Sequence, residues 1–380
     1  MAWRKVFKGL GILSVLLITS GVIASGVFLS NLIRDGGLTP KYDEPKLDLV
    51  VADVDQGLIT LRLPDGAEVA ALFEQAGILG LKGQHSYNRV GDIVGASDRE
   101  VRREFTEITG APEVGEMVRL DSFAYEGDPT TALGMPFEEV YFTSPAGEFP
   151  AWYIDGDDDT WAIIVHGRNS HPDEALRPMP TLAETGMPIL AIHYRNDKGL
   201  PSSDDGFHRY GLTEWEDVDA SVRYALDNGA KDVVLYGYSM GGGIIANFLY
   251  QSTLVDNVSG VVLDAPMLHL GRTIDWGGQQ MGYPQFILAY AKFAASLRLD
   301  VDFSATDYLA RVGELDVPIL LFHGMEDTTV PFSISKDLAR ARPDIVTPFF
   351  VEGADHVLSW NADPEAYDAV LAQFLAAIPD

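Results

Sequence analysis

The sequence predicts an α/β protein with a mostly parallel sheet covered by helices on both faces. Three observations carry this. Strand-like apolar runs recur at residues 161–166, 187–193, 232–236, 260–264, 317–322 and 347–351. Helix-like segments, notably LTEWEDVDASVRYALDNG, alternate with them. The stretch LYGYSMGGGI at 235–244 reads as the end of a strand, a sharp turn and the start of a helix. Such alternation favours parallel strands, because each helical crossover brings the chain back in the same direction across the sheet. A hairpin, FEEVYFTSPAGEFPAWYI with a SPAG turn, precedes the first of these strands.

At the N-terminus, residues 9–33 form 25 consecutive positions without a charge. As a helix they reach about 37 Å, against a hydrocarbon core of about 30 Å. Arg4, Lys5 and Lys8 precede the run and an acidic body follows, which places the N-terminus in the cytoplasm and the remainder outside. Residues 1–34 are therefore expected to be a membrane anchor, with a signal segment cleaved around Ala24 in IASG as the alternative. The length of the run favours the uncleaved anchor, with secretion after cleavage as the other possible localisation. Residues 35–46, polar with glycine and proline, read as a stalk.

Residues 47–130 read as a small β-rich domain: LDLVVADVDQGLITLRLPD supplies two strand-like runs about a DQG turn, and GEMVRLDSFAY another. The α/β domain follows over 137–380. An insertion at about 266–313, rich in Met, Trp, Tyr, Phe and Leu, interrupts the sheet pattern.

The formal charge is −29, and residues 35–380 carry 23 positive against 56 negative charges. That balance excludes nucleic acid as a partner. The absence of cysteine excludes disulfides, thiolate metal sites and a cysteine nucleophile. DGDDD at 155–159 lacks the spaced ligands of a calcium loop. His85, His193, His208, His269 and His323 are scattered with no metal-ligand spacing. Neither a metal nor a cofactor is expected.

Ser239 sits in the turn of LYGYSMGGGI between Gly237 and Gly241. Small neighbours let strand and helix approach while the hydroxyl stays exposed. A dinucleotide loop would need G-x-G-x-x-G, and its second glycine is missing. A serine hydroxyl is a weak nucleophile, so it needs a base within reach and a carboxylate to orient that base. VPILLFHGMEDTTVP supplies Asp327 after a strand-like run, and TPFFVEGADHVLSW supplies His356 after the next. Asp264, Glu326 and Asp355 are the competing acids.

The order Ser239, Asp327, His356 resembles that of the α/β-hydrolase superfamily, and more narrowly its prolyl-oligopeptidase-like, serine-aminopeptidase-like and lysophospholipase-like members. The resemblance covers about residues 137–378 and implies an α/β-hydrolase fold in which 266–313 caps the site. By similarity to hydrolases with an HG-x sequence at AIIVHGRNSH, the backbone N–H groups of Arg168 and Met240 would form the oxyanion hole, with His166 and Gly167 shaping that loop. Tyr238, Trp276 and Phe286 are expected at the substrate pocket. Arg195 could serve structure or substrate. The expected function is hydrolysis of a carboxylic ester of a small or lipid-like acyl substrate. A peptidase or aminopeptidase of the oligopeptidase-like type is the first alternative, and a non-catalytic cell-envelope binding module is an alternative of another class.

Overall fold

The computed structural model describes residues 19–70 and 72–378. Six strands close into a barrel: β1 (Leu49–Asp55), β2 (Leu58–Arg62), β3 (Leu79–Lys82), β4 (Tyr87–Ala96), β5 (Glu100–Thr109) and β6 (Met117–Asp121), in the order β1-β2-β5-β4-β3-β6. Alternation places Leu49 and Val51 of β1, Ile59 and Leu61 of β2, and Val118 and Leu120 of β6 inside.

The second sheet has eight strands: β7 (Glu138–Ser144), β8 (Gly147–Ile154), β9 (Thr160–Val165), β10 (Ile189–Ile192), β11 (Asp232–Tyr238), β12 (Val258–Asp264), β13 (Ile319–Gly324) and β14 (Val346–Val351), ordered β14-β13-β12-β11-β9-β10-β8-β7. From β14 to β10 neighbours are parallel, and β8 and β7 add an antiparallel hairpin at the edge. The inner strands are apolar throughout because helices cover both faces, and period two divides their side chains between two cores. Ile163, Val165, Leu190 and Ile192 face one, while Ala162, Ile164, Ile189 and Ala191 face the other.

The helices are α1 (residues 19–33), α2 (Pro129–Leu133), α3 (Met179–Glu184), α4 (Trp215–Asp227), α5 (Met240–Gln251), α6 (Leu270–Gln280), α7 (Gln285–Leu299), α8 (Ser333–Ala341), α9 (Ser359–Ala362) and α10 (Pro364–Leu375). α4, α5 and α8 cover the first core through Val218, Val222, Ile244, Phe248 and Leu338. α3, α9 and α10 cover the second through Leu182, Trp360, Tyr367 and Leu371. The insertion after β12 folds into α6 and α7, joined by residues 281–284.

Among the described residues no helix is long and apolar enough to cross a membrane. The predicted span starts at residue 9, and its first part lies outside the described residues. Its described part, α1, lies against α7: Leu29 and Ile33 are buried with Ala291 and Ala295. The segment 35–46, read as a stalk, touches the body through Leu38 and Tyr42, while residues 43–46 are exposed. Leu38 is 1% exposed, its carbonyl accepts from the backbone N–H of His208 at 2.8 Å, and the Tyr42 hydroxyl donates to the Asn196 carbonyl at 2.7 Å.

Candidate active site

Ser239 connects β11 to α5 with φ 46° and ψ −112°. That conformation costs about 1–3 kcal/mol for a residue with a side chain, and the surroundings hold it. The Ser239 N–H donates to the Asp264 carbonyl at 2.9 Å, and the Ser239 carbonyl accepts from the Met267 N–H at 2.9 Å. The small neighbours have a steric cause. A Cβ on Gly241 would lie 2.2 Å from the Val165 carbonyl oxygen, and one on Gly237 would lie 2.8 Å from the Gly242 nitrogen.

The Ser239 hydroxyl lies 2.9 Å from His356 Nε2, and His356 Nδ1 donates to Asp327 Oδ2 at 2.6 Å. Three loops, after β11, β13 and β14, thus converge where parallel strands end. Asp327 Oδ1 accepts from the N–H groups of Thr329 and Val330, each at 2.7 Å. Burial opposes ionisation of Asp327, but His356 and His323 outweigh it and hold the carboxyl below the usual carboxylate range. His356 moves the other way: burial opposes its charge, yet Asp327 raises its pKa above the ordinary value. His323, with Nε2 3.1 Å from Asp327 Oδ2 and Nδ1 2.6 Å from the Ser335 hydroxyl, is a supporting residue that sequence reasoning left among the scattered histidines.

Of the competing acids, Glu326 is exposed, and Asp264 and Asp355 are engaged elsewhere. Asp264 is fully buried and accepts from Ser359 and Tyr367, and burial raises its pKa. Asp355 accepts from Thr328 and from the backbone N–H of His356. Arg195 pairs with Asp217 and Glu216, a structural role.

Beside Ser239, the Gly167 N–H is taken by Glu174 Oε2 at 2.7 Å, which fixes the loop after β9. Among the described residues no hydrogen-bond acceptor within the protein takes the N–H of Arg168 or that of Met240. His166 lies behind this loop, 1% exposed, with Nδ1 2.8 Å from the Gly167 carbonyl and Nε2 2.9 Å from Asp197. Burial opposes its charge, but Asp197 raises its pKa. His193 also reaches Asp197, at 2.7 Å. His193, expected among the scattered histidines, instead joins His166 and Asp197, the ligating atoms of the three lying within 4.8 Å of one another. Nothing in the linear spacing announces Glu174 or this cluster.

A cavity of about 370 Å³ opens at Ser239. Arg168 lines it, with Leu270, Ile274 and Leu288 from the cap and Leu29, Leu32 and Ile33 from α1. The three residues predicted at the pocket do not line it. Tyr238 is 1% exposed beneath Arg177, because alternation along β11 turns it into the second core. Trp276 and Phe286 project outward, Phe286 being 72% exposed, because the cap presents its other faces to the cleft.

The barrel bears on the His356 loop. Ala354 and Leu358, on either side of His356, pack into the barrel core. The Gln75 side chain accepts from the Asp355 N–H at 3.3 Å and donates to the Gly353 carbonyl at 3.1 Å. Asn361 donates to the carbonyls of Ile78 and Ser122 at 2.7 and 2.8 Å, and Arg177 donates to Asn361 at 2.8 Å and to the Val357 carbonyl at 2.7 Å. The β-rich domain, illegible in purpose from sequence, buttresses this loop.

A model of the alpha/beta hydrolase family matches residues 162–370. The multifunctional-autoprocessing repeats-in-toxin of Vibrio cholerae serotype O1 is 28% identical over 189 residues, 47% of this chain but 4% of its own length. The protein YfhR of Escherichia coli O157:H7 is 25% identical over 247 residues, 62% of this chain and 78% of its own. An esterase of Pyrococcus furiosus superposes with a TM-score of 0.53 at 22% identity, over 66% of this chain and 94% of that one. At that identity the structural likeness is one of fold.

Proposed function

The chain belongs to the alpha/beta hydrolase family, and from that premise we propose that it is an exported, membrane-anchored serine hydrolase that cleaves a carboxylic ester. Ser239 attacks the acyl carbonyl while His356 Nε2 takes the hydroxyl proton. Asp327 keeps the imidazole in the tautomer whose Nε2 is free to accept and stabilises the imidazolium that forms. The N–H groups of Arg168 and Met240 receive the negative charge on the attacked oxygen, a service for which removal of one donor costs ~10²–10³ in turnover. His356 returns the proton to the leaving alcohol. A water then attacks the acyl-enzyme, again through His356, and releases the acid.

The observation that carries this reading is the chain of contacts Ser239–His356–Asp327, 2.9 and 2.6 Å, at one end of an apolar cavity. The apolar wall favours an acyl chain over a charged peptide. The anchor assignment rests on the uncharged run and the basic residues before it. It gains support from the bond of the Tyr290 hydroxyl to the Val22 carbonyl, a contact upstream of Ala24 that a discarded signal would not need.

The test is labelling with a fluorophosphonate probe, followed by a panel of p-nitrophenyl esters of rising chain length beside aminoacyl p-nitroanilides. Wild-type protein is expected to label and to turn over the esters, and Ser239→Ala to do neither. Anilide turnover exceeding ester turnover would make it a peptidase. Absence of labelling in folded wild-type protein would leave a binding module.

A further inference from the structure

We propose that α1 is one wall of the acyl pocket and that, with the cap, it opens the pocket to a bilayer, so that the substrate is a long-chain acyl ester resident in a membrane leaflet. This rests on the Ser239 reading and adds the substrate class and its route of entry. Leu29, Leu32 and Ile33 of α1 face Leu270, Ile274 and Leu288 of the cap across the cavity that reaches Ser239. A helix that merely tethered the enzyme would have no reason to complete its binding site.

The way α1 joins the cap points to lipid. α1 and α7 run side by side in one direction. The Tyr290 hydroxyl bonds the Val22 carbonyl, Gly26 lies against Tyr290 and Ala294, and Arg298 bonds Ser30, Asn31 and the Val27 carbonyl. Each contact advances both helices by a similar step. Small residues stand on one side or the other of this seam, Gly26 against Ala294, and Ala291 and Ala295 against Leu29 and Ile33, and that lets the two helices approach closely as they do inside membranes.

The outer face of the pair is apolar and uncovered. Val22, Ile23 and Phe28 of α1 and Phe286, Phe293 and Leu297 of α7 are each more than half exposed. The cations of α7 are engaged, Lys292 with Asp275 at 2.6 Å and Arg298 with α1. A face of this kind marks an interaction surface. The sequence identifies its occupant: α1 belongs to the uncharged run of residues 9–33, which Arg4, Lys5 and Lys8 precede. The exposed apolar side chains of a helix in such a run belong in hydrocarbon, and the cap bound alongside α1 is held at the same level. An acyl chain can then move from the leaflet between α1 and α6 towards Ser239 without crossing water.

The experiment uses the purified full chain reconstituted into phosphatidylcholine vesicles, with p-nitrophenyl butyrate in solution and mono-oleoylglycerol dispersed in the same vesicles. The triple variant Phe286→Ser, Phe293→Ser, Leu297→Ser alters the outer face only. It is expected to lower the rate on mono-oleoylglycerol at least about tenfold and to keep the rate on the butyrate ester within about twofold. A second variant, Leu32→Trp, fills the pocket wall and is expected to lower the ratio of palmitoyl to butyryl ester turnover in detergent by about tenfold. Equal losses on both esters in the triple variant, or an unchanged vesicle rate, would overturn the proposal. So would an unaltered chain-length ratio in Leu32→Trp. A chain that dimerises through this face, with a vesicle rate indifferent to the triple variant, would make a second copy the occupant and overturn it too. Wild-type protein inert towards the soluble butyrate ester would refute the Ser239 reading itself, a result separate from any failure confined to the variants.

Discussion

Asp327→Asn separates orientation of the base from every other function of the site. Asp327 Oδ2 accepts the Nδ1 proton of His356 at 2.6 Å, while Oδ1 accepts the N–H groups of Thr329 and Val330 at 2.7 Å. In the variant the amide oxygen keeps the two backbone bonds, so the loop and the fold survive. The amide NH₂ then faces the imidazole where a carboxylate oxygen stood. Nδ1 must present a lone pair to it, which moves the ring proton to Nε2, opposite the Ser239 hydroxyl at 2.9 Å. The base is then blocked and the imidazolium loses its counter-charge. Turnover of a soluble ester is expected to fall by about 10⁴, equivalent to about 5.4 kcal/mol of transition-state stabilisation. The control is Asp264→Asn: Ser359 and Tyr367 donate to separate oxygens of Asp264, so the amide oxygen keeps one of them and the other hydroxyl can turn to accept from the amide NH₂, and the loss should stay under about tenfold. Steady-state kinetics on p-nitrophenyl butyrate, with thermal melts to verify folding, decide the matter. Reversed losses, or an Asp327→Asn enzyme within about tenfold of wild type, would refute the assignment.

The base must be neutral, and the pKa of His356 is raised above the ordinary 6.5, so kcat/KM for the soluble ester should rise with pH along a limb whose midpoint lies above 6.5 and moves down in Asp327→Asn. A raised histidine stabilises the fold fully below its unfolded pKa and loses that contribution as pH rises through the folded value. His166 is raised in the same sense, so Tm should decline across the limb on which activity grows, as calorimetry against pH would register. Asn361→Ala strands the carbonyls of Ile78 and Ser122 and one N–H of Arg177, whose nitrogen keeps its bond to the Val357 carbonyl. At about 1–3 kcal/mol for each buried unpaired group, partly relieved by relaxation, it should destabilise by about 3–5 kcal/mol and lower kcat by loosening the His356 loop. An unchanged melting temperature would count against the buttress. Gly241→Ala sets a methyl 2.2 Å from the Val165 carbonyl oxygen, and with no flexible side chain to yield, about 1–3 kcal/mol of overpacking should accompany at least tenfold loss of turnover as α5 shifts from the loop after β9. A fully active variant would deny that the two donors depend on that contact.

What the sequence determined by itself was local or periodic. Alternating strand and helix patterns were enough for the sheet and its order of elements, since a strand covered on both faces must be apolar throughout. Ser239, Asp327 and His356 were legible because each follows a strand-like run, and parallel strands deliver the residues after them to one edge. Only the tertiary structure decided what meets across long separations. It set the barrel segment 75–78 against the loop of His356, Glu174 against Gly167, and α1 against the pocket. It also turned Trp276 and Phe286 outward while Leu32 and Ile274 turned inward. Composition cannot make that distinction, because an apolar side chain is equally suited to a core, a binding cavity or lipid. The choice among them belongs to the orientation of the helix, which is fixed by the neighbours it packs against.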